Sequence, residues 1–87
     1  MIPPEQRAQR SVDRLDSIVK LTADQKLKVQ ALALTKFQKL DAIHEKYKDQ
    51  KDKHKEMRAE AEPVRKQFRD GVKALLTPDQ IKKVREH

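Results

Sequence analysis

Cysteine is missing from the sequence, which removes a disulfide framework, a redox thiol pair and any thiolate metal site. Aromatic residues are nearly missing: Phe37, Tyr47 and Phe68 are the only three in 87 residues, while charged residues make up 40%. Such a chain forms one domain with a small core and cannot enclose a large interior. A single glycine, Gly71, and the lack of any alternating β-rich run leave little room for strands. No apolar run approaches the ~20 residues of a membrane span. What remains is an all-α chain whose amphipathic helices bury a narrow seam.

The net charge is +7, unevenly placed. Residues 1–43 hold eight basic and five acidic groups, residues 44–62 six of each, and residues 63–87 seven basic and three acidic. A neutral polyampholyte centre between basic ends suits a solvated helical region better than a nucleic-acid arm. There is no helix-turn-helix glycine turn and no aromatic stacking set, so nucleic acid is not an expected partner.

One phrase occurs twice: Leu21-Thr22-Ala23-Asp24-Gln25 and Leu76-Thr77-Pro78-Asp79-Gln80. Each reads as a helix start. Thr22 and Thr77 are N-caps, and Gln25 and Gln80 reach back to the cap's own N–H. Asp24 and Asp79 sit where the helix dipole favours negative charge, and Pro78 occupies the first helical position, where a donor is not needed. Leu21 and Leu76 are expected to pack these helix starts against neighbouring helices.

Four helices follow from periodicity and punctuation. The first spans 4–19, with Ala8, Val12, Leu15 and Val19 on one face. The second opens at 23 and meets neither proline nor glycine before Glu62. Leu40, Ile43, Tyr47, Gln50, His54, Met57, Ala61, Val64, Phe68, Val72 and Leu75 keep spacings of three or four throughout. Two layouts compete: one continuous helix over 23–62, ~60 Å long at ~1.5 Å per residue, or an antiparallel hairpin turning near Lys48–Asp52. The unbroken phase and the missing turn residues favour the continuous helix. Pro63 then kinks or restarts the chain, giving a third helix over 63–75 and a fourth over 78–85. The rod so formed has more apolar seam than one copy covers, and a homodimer is the expected remedy.

From Leu21 to about Val84 the chain resembles the LTxxQ-motif family of small Spy/CpxP-like periplasmic proteins, on the two boxes and the basic helical stretch between them. The resemblance implies a curved, cradle-like antiparallel dimer. It also implies ATP-independent binding of unfolded or stressed proteins, or a stress- or metal-sensing variant of that role. The family is exported, whereas Met1-Ile2 leads straight into Pro3-Pro4 with no secretory signal. The expected location is therefore the periplasm, with the signal peptide absent from this sequence.

Leu32, Phe37, Ile43, Tyr47, Met57 and Phe68 alternate with Lys36, Lys39, Arg58, Arg65 and Arg69. Taken together they are the expected client-binding surface: apolar groups hold exposed hydrophobic segments and flexible cations catch acidic ones, with methionine suited to promiscuous contact. Taken singly, each is better read as the protein's own core. His44, His54 and His87 are the only imidazoles. The first two lie ~15 Å apart along one helix, so no metal site and no cofactor are expected. Ser11 and Ser17 have no His–Asp arrangement nearby and no phosphate loop exists, so no catalytic residues are assigned. The alternative to a chaperone is a helical sensor or interaction module that binds one specific partner protein.

Overall fold

The computed structural model describes residues 2–86 and is all helical. Its elements are α1 (Pro4–Val19), α2 (Ala23–Tyr47), a short 3-10 turn (Lys51–Lys53), α3 (His54–Leu75) and α4 (Pro78–Glu86). Among the described residues there is no strand, and no helix is long and apolar enough to cross a membrane.

The expected continuous helix over 23–62 does not form. α2 stops at Tyr47 and the chain doubles back through residues 48–53. The Gln50 N–H donates to the Tyr47 carbonyl at 2.9 Å, and the Lys53 N–H to the Gln50 carbonyl at 3.0 Å. Gln50 leaves helical geometry at φ −124°, ψ 67°, a conformation that needs neither glycine nor proline. The physical reason lies in the seam. Residues 48–56 are exposed and offer nothing apolar to hold a straight rod, whereas folding back sets the stripe of α3 against that of α2. The unbroken apolar phase is equally compatible with two facing arms, which is why it misleads. The longest dimension is 42 Å, close to the ~37 Å that α2 alone spans at ~1.5 Å per residue.

The expected restart at Pro63 is also replaced. α3 runs through the proline without interruption. Pro63 and Ala59, whose carbonyl loses its intrahelical partner, are both exposed, so water can satisfy that carbonyl and the helix continues.

α1 and α3 each pack along α2 but not along each other, and α4 packs against α1. Arg7 of α1 forms an ion pair with Asp41 of α2, and its guanidinium lies 4.9 Å from the Phe37 ring centre. Ala8, Val12, Val19, Leu21, Val29, Ala33, Leu40 and Ala61 are buried. Val29 is the largest fully buried side chain, so the core is built of small residues. Val12, Val19, Leu21 and Val29 form one cluster with Leu76 packed against it, so the leucine that opens each Thr–Gln box is part of this core.

Those boxes meet. Within the first, the Gln25 N–H donates to Thr22 Oγ1 at 3.1 Å and the Thr22 N–H to Gln25 Oε1 at 3.0 Å. The second repeats this with Thr77 and Gln80 at 3.2 and 3.0 Å. Gln25 and Gln80 then pair amide to amide: Gln25 Nε2 donates to Gln80 Oε1 at 2.9 Å, and Gln80 Nε2 to Gln25 Oε1 at 3.2 Å. Each Nε2 also reaches the end of the helix before the other box. Gln25 donates to the Leu75 carbonyl at 2.9 Å, and Gln80 to the Val19 and Lys20 carbonyls at 3.4 Å each. Both donors and both acceptor positions of each glutamine are used. Four helix ends are tied at one point. α1 reaches it through Lys20, whose left-handed φ of 53° ends the helix, while the Leu21 N–H donates to Asp16 Oδ1 at 2.8 Å.

At the opposite end Lys46 pairs with Glu60 at 3.0 Å, closing the α2–α3 hairpin. Hydrogen bonds from Tyr47 and then Lys46 hold the Glu60 carboxyl below its ordinary value. A carboxyl depressed in the folded state stabilises above its unfolded value and loses that contribution as pH falls through the folded one. Acidification below about pH 4.5 is therefore expected to loosen the hairpin end, read as lower amide-exchange protection factors (the intrinsic rate over the observed rate at the same pH) near Tyr47 and Glu60, and Glu60→Gln is expected to flatten this pH dependence. Pro63→Ala, which restores one hydrogen bond on an exposed face, is expected to raise unfolding free energy by about 2 kcal/mol in chemical denaturation.

Candidate functional site: an apolar groove with a cationic rim

Because α1 and α3 each ride on α2 and do not pack along one another, a groove of about 400 Å³ opens between them. Leu15 and Ile18 of α1 form one wall, Phe68 and Val72 of α3 the other, and Val29 lies in the floor. Leu76, Ile81 and Val84 close one end. Val84 is 39% exposed, although it stands in α4 where the fully buried Val29 stands in α2, seven residues after its cap threonine. α2 is covered on both sides and α4 is not, so the second repeat leaves open what the first buries.

The polar lining is of one kind. Arg14, Lys36, Arg69, Lys73 and Arg85 border the groove together with Ser11, and no carboxylate lines it. Arg69 pairs with Glu62 at 3.2 Å in the open. Among the described residues no acidic group pairs with the other four. Lys36 is half-buried, its ammonium 4.4 Å from the Phe68 ring centre and 4.8 Å from that of Phe37. Burial and, secondarily, the Arg65 guanidinium push its pKa down. An apolar trough bordered by cations attracts anionic amphipathic matter, the apolar part providing affinity and the charges orientation.

Of the eleven residues expected to bind clients, only Lys36, Phe68 and Arg69 line this groove. Leu32 and Lys39 border a smaller hollow of about 90 Å³ between α2 and α3. Phe37 lies under Arg7 and Lys36. Tyr47 and Met57 sit together at the hairpin end, about 180 Å³ of open space among lysines. Ile43 is half-buried, and Arg58 and Arg65 are exposed; none of the three borders the groove. The residues of the expected client face thus lie at several places on the molecule, and the groove lining from α1 and α4 is not among them. The signal that could have found them was the duplicated box itself, since pairing the two boxes brings the C-terminal end of α1 and the start of α4 to the C-terminal end of α3.

His44 and His54 are exposed on α2 and at the start of α3, and His87 lies outside the described residues. Among the described residues no three His, Asp or Glu side chains are grouped closely enough to hold a metal ion.

No curated protein and no solved structure matches the chain. A family model does, over residues 2–84. That span takes in both boxes and every groove residue named above except Arg85, and the chain belongs to the family described as a domain of unknown function, DUF4890.

Proposed function

We propose that this protein is an ATP-independent chaperone or stress-response protein that holds partly unfolded proteins reversibly in the groove between α1 and α3. The observation that carries the reading is an open apolar trough bordered by five cations and no carboxylate. Val72, Ile81 and Val84 offer contact to exposed apolar segments of a client, and the exposed arginines and lysines catch its acidic groups loosely, so that release needs no energy source. The resemblance of the two boxes to the LTxxQ-motif family supports the same role, a periplasmic location and a homodimer. For the dimer, a surface away from the groove is the shallow depression between α2 and α3, where Leu32 of α2 faces Gly71 and Leu75 of α3; Leu27 of α2 is itself 70% exposed.

The test is suppression of aggregation of two unrelated denatured clients at equimolar protein. The wild-type chain is expected to slow both. Val84→Glu combined with Lys73→Glu, two exposed positions, is expected to weaken suppression about tenfold with an unchanged circular dichroism melt. Tight one-to-one binding to a single protein, with no effect on unrelated clients, would instead identify a sensor or interaction module and contradict the proposal.

A further inference from the structure

Lys36 differs from the other groove cations because it lies on the floor. Its half-buried ammonium rests against two aromatic rings with no carboxylate partner among the described residues. The antiparallel register, anchored by Arg7–Asp41 on one side and Lys39–Gln67 on the other, brings Ser11 and Arg69 level with it. From Lys36 the floor runs along α2 to Val29, two helical turns or about 10 Å at ~1.5 Å per residue. Over that length the floor and inner walls are apolar, with Leu15, Ile18, Val72, Leu76 and Ile81, while Arg14, Lys73 and Arg85 stand exposed along the rim and α4 stops the trough. On the floor itself, charge is therefore placed at the Lys36 level and hydrocarbon at the Val29 level, beneath a cationic rim.

We propose that the groove is a binding site for a medium-chain aliphatic carboxylate of about eight to ten carbons, the length of the apolar floor. The carboxylate sits on Lys36, flanked by Arg69 and Ser11, and the chain lies toward Val29 and α4. Each buried methylene adds favourable transfer free energy, and the carboxylate supplies the partner that the half-buried ammonium lacks. The proposal does not depend on client holding, since it concerns a discrete ligand in the same trough.

Isothermal titration of decanoate into the full chain, below the micelle threshold, tests it. The expected result is saturable one-to-one binding, with 1-decanol and decyltrimethylammonium each at least about tenfold weaker. Lys36→Gln is expected to weaken decanoate binding about tenfold, while Lys36→Arg keeps it. Arg69→Gln, altered at an exposed position, provides a second variant should Lys36→Gln lose its helical spectrum, and is expected to weaken binding in the same direction. Equal affinity for the three decyl compounds, no saturable heat with decanoate, or unchanged decanoate binding in a folded Lys36→Gln would overturn the proposal. Failure of the aggregation assay would leave each of these outcomes readable.

Discussion

The fold rests on two side-chain amides held face to face. Gln25 and Gln80 each close a local capping box and then turn their remaining hydrogen-bonding capacity on one another and on the carbonyls that end α1 and α3. A cap on its own stabilises a helix by about 1 kcal/mol. Joined as they are here, the two caps become a tertiary contact between residues 55 apart in sequence. In a chain whose largest fully buried side chain is a valine, apolar packing alone specifies helix positions weakly, and a fully satisfied polar pair adds the missing directionality.

That contact determines the shape of everything else. It gathers the C-terminal ends of α1 and α3 and the N-terminal ends of α2 and α4 at one pole, while the Lys46–Glu60 pair closes the other. α2 is then the shared central helix, and α1 and α3 lie parallel to each other on it, apart by the width of the groove. The groove is a consequence of the duplication and of its incompleteness. Two helix–box–helix units are brought together about the glutamine pair, but α4 covers less than α2 does. Apolar side chains that a full fourth helix would bury, such as Val72, Ile81 and Val84, line an open trough instead.

The helical class, the two caps and the role of Leu21 and Leu76 in the core were legible in the residues, because capping chemistry and 3.6-residue periodicity are local. The reversal at Lys48–Lys53 was not. A turn made of lysine, aspartate and glutamine carries no positional marker, and an apolar stripe spaced by threes and fours continues through a hairpin as readily as through a rod. Pro63 misled in the opposite direction, since its effect depends on whether the freed carbonyl of Ala59 faces water. For the candidate site, Lys36, Phe68 and Arg69 were recognisable as an apolar and cationic set. The lining from α1 and α4 became visible only once the boxes were known to pair, because nothing in a linear reading says that two caps touch.

The substitution Gln25→Glu isolates that pairing. A glutamate serves a capping box as well as a glutamine does, so the local helix start is kept. An ionised carboxylate has no donor for the Leu75 carbonyl or for Gln80 Oε1, and both lose a partner. Unfolding free energy by chemical denaturation at pH 7 is the decisive measurement. A loss of about 2 kcal/mol, partly regained when acidification protonates the new carboxyl, is the result predicted from the amide pair. Stability equal to that of the parent chain at neutral pH would show that the two boxes are independent caps and that something else holds the four helix ends together.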